Sequence, residues 1–371
     1  MRIGVPAEIK SGEFRVGLVP ASVRELCAAG HEVHVQSGAG APIGFGDAQY
    51  AAAGARIVPA AADAWAAELV VKVKEPQAAE YALLRPDQVL FTYLHLAPDP
   101  RQAEALQRAG GVAIAYETVT DRHGGLPLLA PMSAVAGRLS VQAGAHFLEK
   151  TQGGRGVLLG GVPGVAPGRV TVLGAGSVGS HALRMALGLG AAVTVVNRTL
   201  PRLDALDREY PGRIRTLLAS GAVIEEAVCG ADLVVGAVLQ PGGVAPKLID
   251  RALLKKMQRG AVIVDVAIDQ GGCCETSRPT THADPVFVEE GVLHYCVANM
   301  PGAVPLTSAL ALNNATLPYL RALADKGWRQ ALRDDPGFAA GLNVCAGQIA
   351  HAAVAQALGK RWMAPQELIA G

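Results

Sequence analysis

The sequence predicts an α/β fold built from two doubly wound, mostly parallel sheets. Three observations predict it. The first is Gly174-Ala175-Gly176-Ser177-Val178-Gly179, which sits between the apolar run Arg169–Leu173 and a helical stretch, His181–Leu187, with a second strand at Ala192–Val196. That is the strand–turn–helix–strand setting in which G-x-G-x-x-G marks a dinucleotide site. The second is an alternation of strand and helix signals through residues 1–130. The third is size and composition. A chain of 371 residues exceeds one ordinary core, and with 50% hydrophobic and only 4% aromatic residues it must pack on Ala, Val, Leu and Ile, as strands buried on both faces do.

The elements follow in order. Strands are expected at Arg2–Pro6, Glu32–Gln36, Leu69–Val73, Gln88–Phe91 and Val112–Ala115, with helices such as Pro20–Ala29 and Pro100–Ala109 between them. Met132–Lys150 reads as a connecting helix, and a Gly-rich stretch, residues 153–164, leads into the strand Arg169–Leu173. Later strands are expected at Leu233–Ala237, Ala261–Val266 and His294–Val297. Beyond Pro305 the chain reads as helical, over Leu306–Leu323 and Asn343–Leu358. This tail is too short for a domain, so its first helix is expected to complete the N-terminal one. The expected division is 1–130 plus 305–371 as a discontinuous substrate domain and 131–304 as a dinucleotide-binding domain.

Composition excludes several classes. A net charge of +1 argues against a nucleic-acid surface. No membrane span is expected, because no run of about 18 apolar residues occurs. The first residues enter a strand at once, so no signal peptide is expected. Six cysteines show no metal-ligand spacing; Cys273-Cys274 is a vicinal pair, and the set reads as reduced thiols of a cytoplasmic protein.

In the glycine turn, Gly174 allows the bend, Gly176 lets backbone approach a pyrophosphate and Gly179 lets helix and strand pack, while Ser177 and Val178 open the helix. The tip of the second strand holds no carboxylate for a ribose 2′-hydroxyl. It reads Asn197-Arg198-Thr199-Leu200-Pro201-Arg202, which suits a 2′-phosphate through the arginines. This resembles the Asn-Arg-Thr clamp of NADP-dependent shikimate dehydrogenases. The alternative is that Asn197 bonds the ribose and Arg198 and Arg202 are solvated, so the cofactor is NAD or NADP, with NADP slightly favoured.

Several polar residues stand where ligands bind in open α/β sheets, past the carboxyl ends of strands. His95 ends the run Leu90–Leu94 and can exchange a proton near neutral pH; alternatively it is a hydrogen-bonded structural histidine. Lys72 and Lys74 share a side of their strand by period two, and Lys74, nearer the end, is the candidate for a substrate carboxylate or carbonyl. Asp269 follows Val264–Ile268 and precedes Gly271-Gly272; alternatively it is a turn aspartate. Arg15 can hold a carboxylate as a fork or be a surface arginine. Asn299-Met300-Pro301-Gly302 resembles a loop that lines a cleft.

Together these segments resemble the alanine dehydrogenase and transhydrogenase α-subunit superfamily along nearly the whole chain. The resemblance is carried by Gly4–Lys10, Val71–Pro76, Thr92–Ala97, Ala115–Val119, Pro131–Ser133 with Ala136–Arg138, Gly160–Val165, Ala267–Gly272, Ser277–Thr281 and Tyr295–Pro301. It implies two Rossmann-like domains with a cleft between them, a homo-hexamer, and an oxidoreductase interconverting L-alanine with pyruvate and ammonium using NAD(P), with no metal. It also implies roles: Arg15 and Lys74 hold the keto acid, Met132 lines its pocket, His95 is the catalytic acid/base and Asp269 the acid beside the reacting carbon. Ser133, Val238, Leu239, Ile268, Asn299 and Met300 match cofactor-contact positions. The chain departs from the family at Asn197, where Asp is usual, at Leu306, where Lys or Arg is usual, and at Val344-Cys345, where a Thr-His pair is usual. Two alternatives remain: an opine-type synthase that takes an amino acid in place of ammonia, and a non-catalytic nucleotide-binding homologue.

Overall fold

The computed structural model describes residues 1–238 and 244–370. The chain forms two compact units, one of Met1–Met132 with the segment from Val304 onward, the other of Ser133–Ala303. In chain order the strands are β1 (Arg2–Val5), β2 (Glu32–Gln36), β3 (Arg56–Val58), β4 (Leu69–Val71), β5 (Val89–Thr92), β6 (Val112–Ala115), β7 (Arg169–Leu173), β8 (Ala192–Asn197), β9 (Ile214–Leu218), β10 (Leu233–Gly236), β11 (Val262–Asp265), β12 (Val286–Glu289), β13 (Val292–Tyr295), β14 (Leu342–Cys345) and β15 (Gln348–Ile349).

The sheet of the first unit runs β15-β14-β6-β5-β4-β1-β2-β3. From β6 to β3 every pairing is parallel. β4, β5 and β6 are buried at every residue, as expected of strands covered by helices on both faces. The order reverses between β1 and β4, making a switch point. The chain leaving β1 passes directly over the end of β4: a Cβ on Gly17 would lie 2.4 Å from the Val71 carbonyl oxygen. The long helix Pro305–Lys326 belongs to this unit and ties down the same segment, since Asn313 Oδ1 accepts from the Val19 N–H at 2.9 Å.

The second unit has the order β12-β13-β11-β10-β7-β8-β9. Its pairings are parallel except at the edge, where β12 runs antiparallel to β13. The switch point lies between β7 and β10, beside the glycine turn. β10 and β11 are wholly buried.

The tail corrects one expectation. Asn343–Leu358 is not one helix: β14 pairs antiparallel with β6, β15 folds back on it, and only Ala352–Leu358 is helical. The turn between the strands puts Ala346 at φ 48° and Gly347 at φ 79°. Gly347 breaks a helix there, and the helix that the following alanines form starts only at Ala352. β3, β9 and β12 were also unread: all three are edge strands, and β9 and β12 have no buried residue to give an apolar run. The strand expected at His294–Val297 begins two residues earlier, at Val292. No helix among the described residues is long and apolar enough to cross a membrane.

Candidate active site

In the first unit, four neighbouring parallel strands, β6, β5, β4 and β1, deliver polar residues past their carboxyl ends, at the roughly 4.8 Å spacing of a sheet. After β1 come Glu8, Glu13 and Arg15. Arg15 is buried, with its Nε 2.6 Å from Glu13 Oε1 and its Nη2 2.5 Å from Glu13 Oε2. Its Nη1 lies 3.0 Å from the Met132 sulfur. Glu13 thus holds one edge of the guanidinium in bidentate fashion and aims the rest. Burial pushes the Glu13 carboxyl up, but its bonds to Arg15 win and leave it below the usual carboxylate range.

Past β4 the two lysines part ways. The strand stops at Val71, so the period-two reading that placed Lys72 and Lys74 on one side does not hold beyond it. Lys72 is fully buried and pairs with Glu80 at 2.9 Å and Glu8 at 3.3 Å. Burial alone would lower its ammonium pKa, and the two carboxylates outweigh that and raise it. Glu8 in turn accepts from the Val73 N–H at 2.6 Å, and its carboxyl is raised by burial against the pull of Lys72. The Lys74 peptide is held at its carbonyl by Thr92 Oγ1 at 2.9 Å. No carboxylate pairs with the Lys74 ammonium among the described residues, and its pKa is lowered, first by burial and then by Arg15 and Lys10. Arg15, Lys10 and Lys74 therefore form a partly desolvated positive cluster, with Lys10 bonded to Glu75.

After β5 stands His95, a non-glycine residue at φ 48° with its side chain 47% exposed. Such a backbone persists only where neighbours impose it. Here Glu117, just past β6, accepts the His95 N–H at 2.6 Å and the Leu94 N–H at 3.2 Å. The same carboxylate lies 3.9 Å from His95 Nδ1. The imidazole stacks on Tyr93, whose hydroxyl donates to the Leu128 carbonyl at 2.6 Å. The structure thus brings Arg15, Lys74, Met132 and His95 to one end of one sheet.

In the second unit the glycine turn follows β7. Gly174 takes φ 102°, which favours glycine, and a Cβ on Gly179 would sit 1.9 Å from the Gly174 carbonyl oxygen. A Cβ on Gly176 meets nothing within 4 Å, and no side chain caps the helix Ser177–Gly188. The turn therefore has the open backbone and uncapped first-turn N–H groups that a pyrophosphate requires. Asn197, at the end of β8, accepts from the Ala175 N–H at 3.2 Å and donates to Thr199 Oγ1 at 2.9 Å. Arg198 is exposed. Arg202 braces the turn, donating to the Ala175 carbonyl at 2.6 Å and to Ser180 Oγ at 2.9 Å.

Ile268 and Asp269 lie on the 3-10 turn Val266–Gln270 after β11, Ile268 buried and Asp269 exposed. Asn299 (φ 63°) and buried Met300 follow β13, half-buried Val238 follows β10, and half-buried Ser133 lies on the helix Ala130–Phe147. Leu239 lies outside the described residues. Sequence reasoning missed Glu8, Glu13, Glu117 and Asp265. Glu13 and Asp265 had a usable signal, a charged residue two and four positions from a candidate; Glu8 and Glu117 are brought in only by strand pairing.

Comparison with known proteins agrees with this architecture. The family model described as Alanine dehydrogenase/PNT, N-terminal domain, matches residues 4–136, and that described as Alanine dehydrogenase/PNT, C-terminal domain, matches residues 140–352. The alanine dehydrogenase of Halomonas elongata is 59% identical over 370 residues, covering 100% of both chains. That of Mycobacterium tuberculosis is 53% identical over 371 residues, with the same coverage. A solved L-alanine dehydrogenase is similar with a TM-score of 0.95 at 55% identity, covering 97% of this chain and 99% of its own. A transhydrogenase from Sinorhizobium meliloti shares the fold, with a TM-score of 0.82 at 24% identity over 95% of this chain and 100% of its own. The chain belongs to the alanine dehydrogenase/PNT family.

Proposed function

We propose that this chain catalyses the reversible oxidative deamination of L-alanine to pyruvate and ammonium. The observation that carries this reading is the convergence of Arg15, Lys74 and His95 at the carboxyl ends of β1, β4 and β5, in a chain whose full-length relatives are named alanine dehydrogenases. A bound nicotinamide dinucleotide supplies or removes the hydride. The glycine turn Gly174–Gly179 would hold its pyrophosphate, with Ser133, Val238, Leu239, Ile268, Asn299 and Met300 as further contacts.

The protein's own groups do the rest. Arg15 and Lys74 bind the pyruvate carboxylate, and Lys74 draws charge from the carbonyl oxygen. Met132 lines the pocket beside Arg15. As ammonia adds to the carbonyl carbon, His95 gives the oxygen a proton, and a second proton lets water leave the carbinolamine. Asp269 offsets the positive charge of the iminium that results. Reduction at that carbon gives L-alanine, and the reverse steps oxidise it. We propose a homo-hexamer and cytoplasmic residence on the family resemblance; sedimentation tests the first.

The depressed Lys74 pKa sets a pH dependence. A carboxylate binds the charged ammonium best, so affinity for a non-reducible keto-acid analogue should fall as pH rises, beginning below the ordinary lysine range. Lys74→Arg, whose guanidinium stays charged, should remove that fall. Equal pH dependence in both proteins would contradict the role of Lys74.

We further propose NADP(H) as the preferred dinucleotide. Asn197 brings no negative charge to the tip of β8, and Arg198 is exposed there. Turnover of pyruvate and ammonium should be compared with NADPH and NADH side by side. Arg198→Ala should cost NADPH use about 10–100-fold in kcat/KM, the worth of one charge-assisted contact, and leave NADH use unchanged. Activity with NADH alone would retire this preference while keeping the enzyme.

A further inference from the structure

We propose that Asp265 is a positioning residue that sets the place of Asp269. The inference rests on the reading of Asp269 as the group beside the reacting carbon. Asp265 is the last residue of β11 and its side chain is completely buried. No lysine or arginine pairs with it among the described residues. Its carboxylate is satisfied instead by donors from both feet of the turn that carries Asp269. Oδ1 accepts from the Ala267 N–H at 3.2 Å. Oδ2 accepts from the Cys273 N–H at 2.8 Å, the Cys274 N–H at 3.2 Å and the Ser277 hydroxyl at 2.6 Å.

Between those feet the chain closes on itself. Gly271 N–H donates to the Ile268 carbonyl at 2.9 Å and Gly272 N–H to the Ala267 carbonyl at 3.0 Å. Gly272 is packed so closely that a Cβ there would lie 2.7 Å from Asp265 Oδ2. Lys247 clasps the returning segment, donating to the Gly271 carbonyl at 2.5 Å and the Cys274 carbonyl at 2.9 Å. The Asp269 carboxylate accepts no hydrogen bond among the described residues. Its position is therefore inherited from the turn, and the turn hangs on Asp265.

Asn in place of Asp265 keeps the shape but turns one acceptor into a donor, which faces either one N–H or three donors. The test is a double-mutant cycle on the full-length enzyme, with Asp265→Asn, Asp269→Asn and both together. Readouts are kcat and KM for pyruvate in the presence of ammonium and reduced dinucleotide, with thermal midpoints measured alongside. Asp265→Asn should lower kcat about 100-fold, the scale of a displacement of about 1 Å, with the pyruvate KM little changed. In the Asp269→Asn background it should cost less than about threefold more, while its effect on the thermal midpoint stays the same in both backgrounds. A purely structural role would not produce that split. An undiminished loss in the Asp269→Asn background, or an unchanged kcat in the single variant, overturns the proposal. Normal turnover in Asp269→Asn alone overturns the reading on which it rests. If Asp265→Asn does not fold, Ser277→Ala removes one donor, with an expected loss of about 3–10-fold and the same dependence on Asp269.

Discussion

Replacing His95 with alanine should lower turnover about 10²–10⁴-fold, the usual contribution of a positioned acid/base. Both the addition of ammonia and the loss of water need a proton delivered at one oxygen. In the proposed mechanism His95 delivers it; the residue sits at a backbone angle of φ 48°, secured through the Glu117 carboxylate at 2.6 Å from its N–H. Dinucleotide affinity should be unchanged, because the glycine turn is built from β7 and the helix Ser177–Gly188 in the other unit. Stopped-flow turnover and fluorescence titration of the cofactor check both halves. Near-normal turnover in His95→Ala would remove the histidine from the mechanism. Glu117→Gln should give a smaller loss of kcat, since an amide oxygen in the place of Oε1 still accepts from the His95 and Leu94 N–H groups.

The second large effect is on stability. Lys72→Met should destabilise the first unit by about 3–5 kcal/mol at neutral pH, because it strands Glu8 and Glu80 as buried carboxylates. All three tryptophans, Trp65, Trp328 and Trp362, lie in that unit, so their fluorescence in a denaturant titration reports on it alone. The pH dependence has a definite sign. Glu8 already has a raised pKa in the folded state, by burial, so the native state holds its proton more tightly than the unfolded chain. Stability from this group is gained as pH falls through the folded-state pKa and is lost above it. Removing the Lys72 ammonium removes what restrains that rise. The deficit of the variant should therefore shrink on acidification towards the ordinary carboxylate range. A loss under about 1 kcal/mol would show the triad to be solvated in solution.

Much of the fold was legible because its strands are short apolar runs punctuated by turns, and the parallel strands β4, β5, β10 and β11, buried at every residue, carry that signal undiluted. The glycine turn was legible because Gly174 and Gly179 answer local steric demands and Gly176 keeps the backbone between them open. The tail was not. Leu342–Cys345 is a strand only because β6 offers it an edge, and nothing within the segment says so. The same limit governs the site. Glu117 stands 22 positions from His95, and Glu8 stands 65 from Val73; only adjacency of β6 to β5 and of β1 to β4 joins them. Lys72 and Lys74 show the limit within three residues: a strand period carries them to one side on paper, while the strand ends at Val71 and the chain buries one ammonium between carboxylates and leaves the other beside Arg15. The family resemblance named Arg15 and His95, but not Glu13 and Glu117, the carboxylates that hold them.

The most direct test of the account is to identify the product when the purified chain is given pyruvate, NADPH or NADH, and either ammonium or a set of primary amino acids. The account predicts L-alanine, formed with ammonium and matched mole for mole by oxidised dinucleotide. N-substituted alanine products formed with amino acids, and no alanine with ammonium, would contradict it and assign the same imine reduction to a different amine.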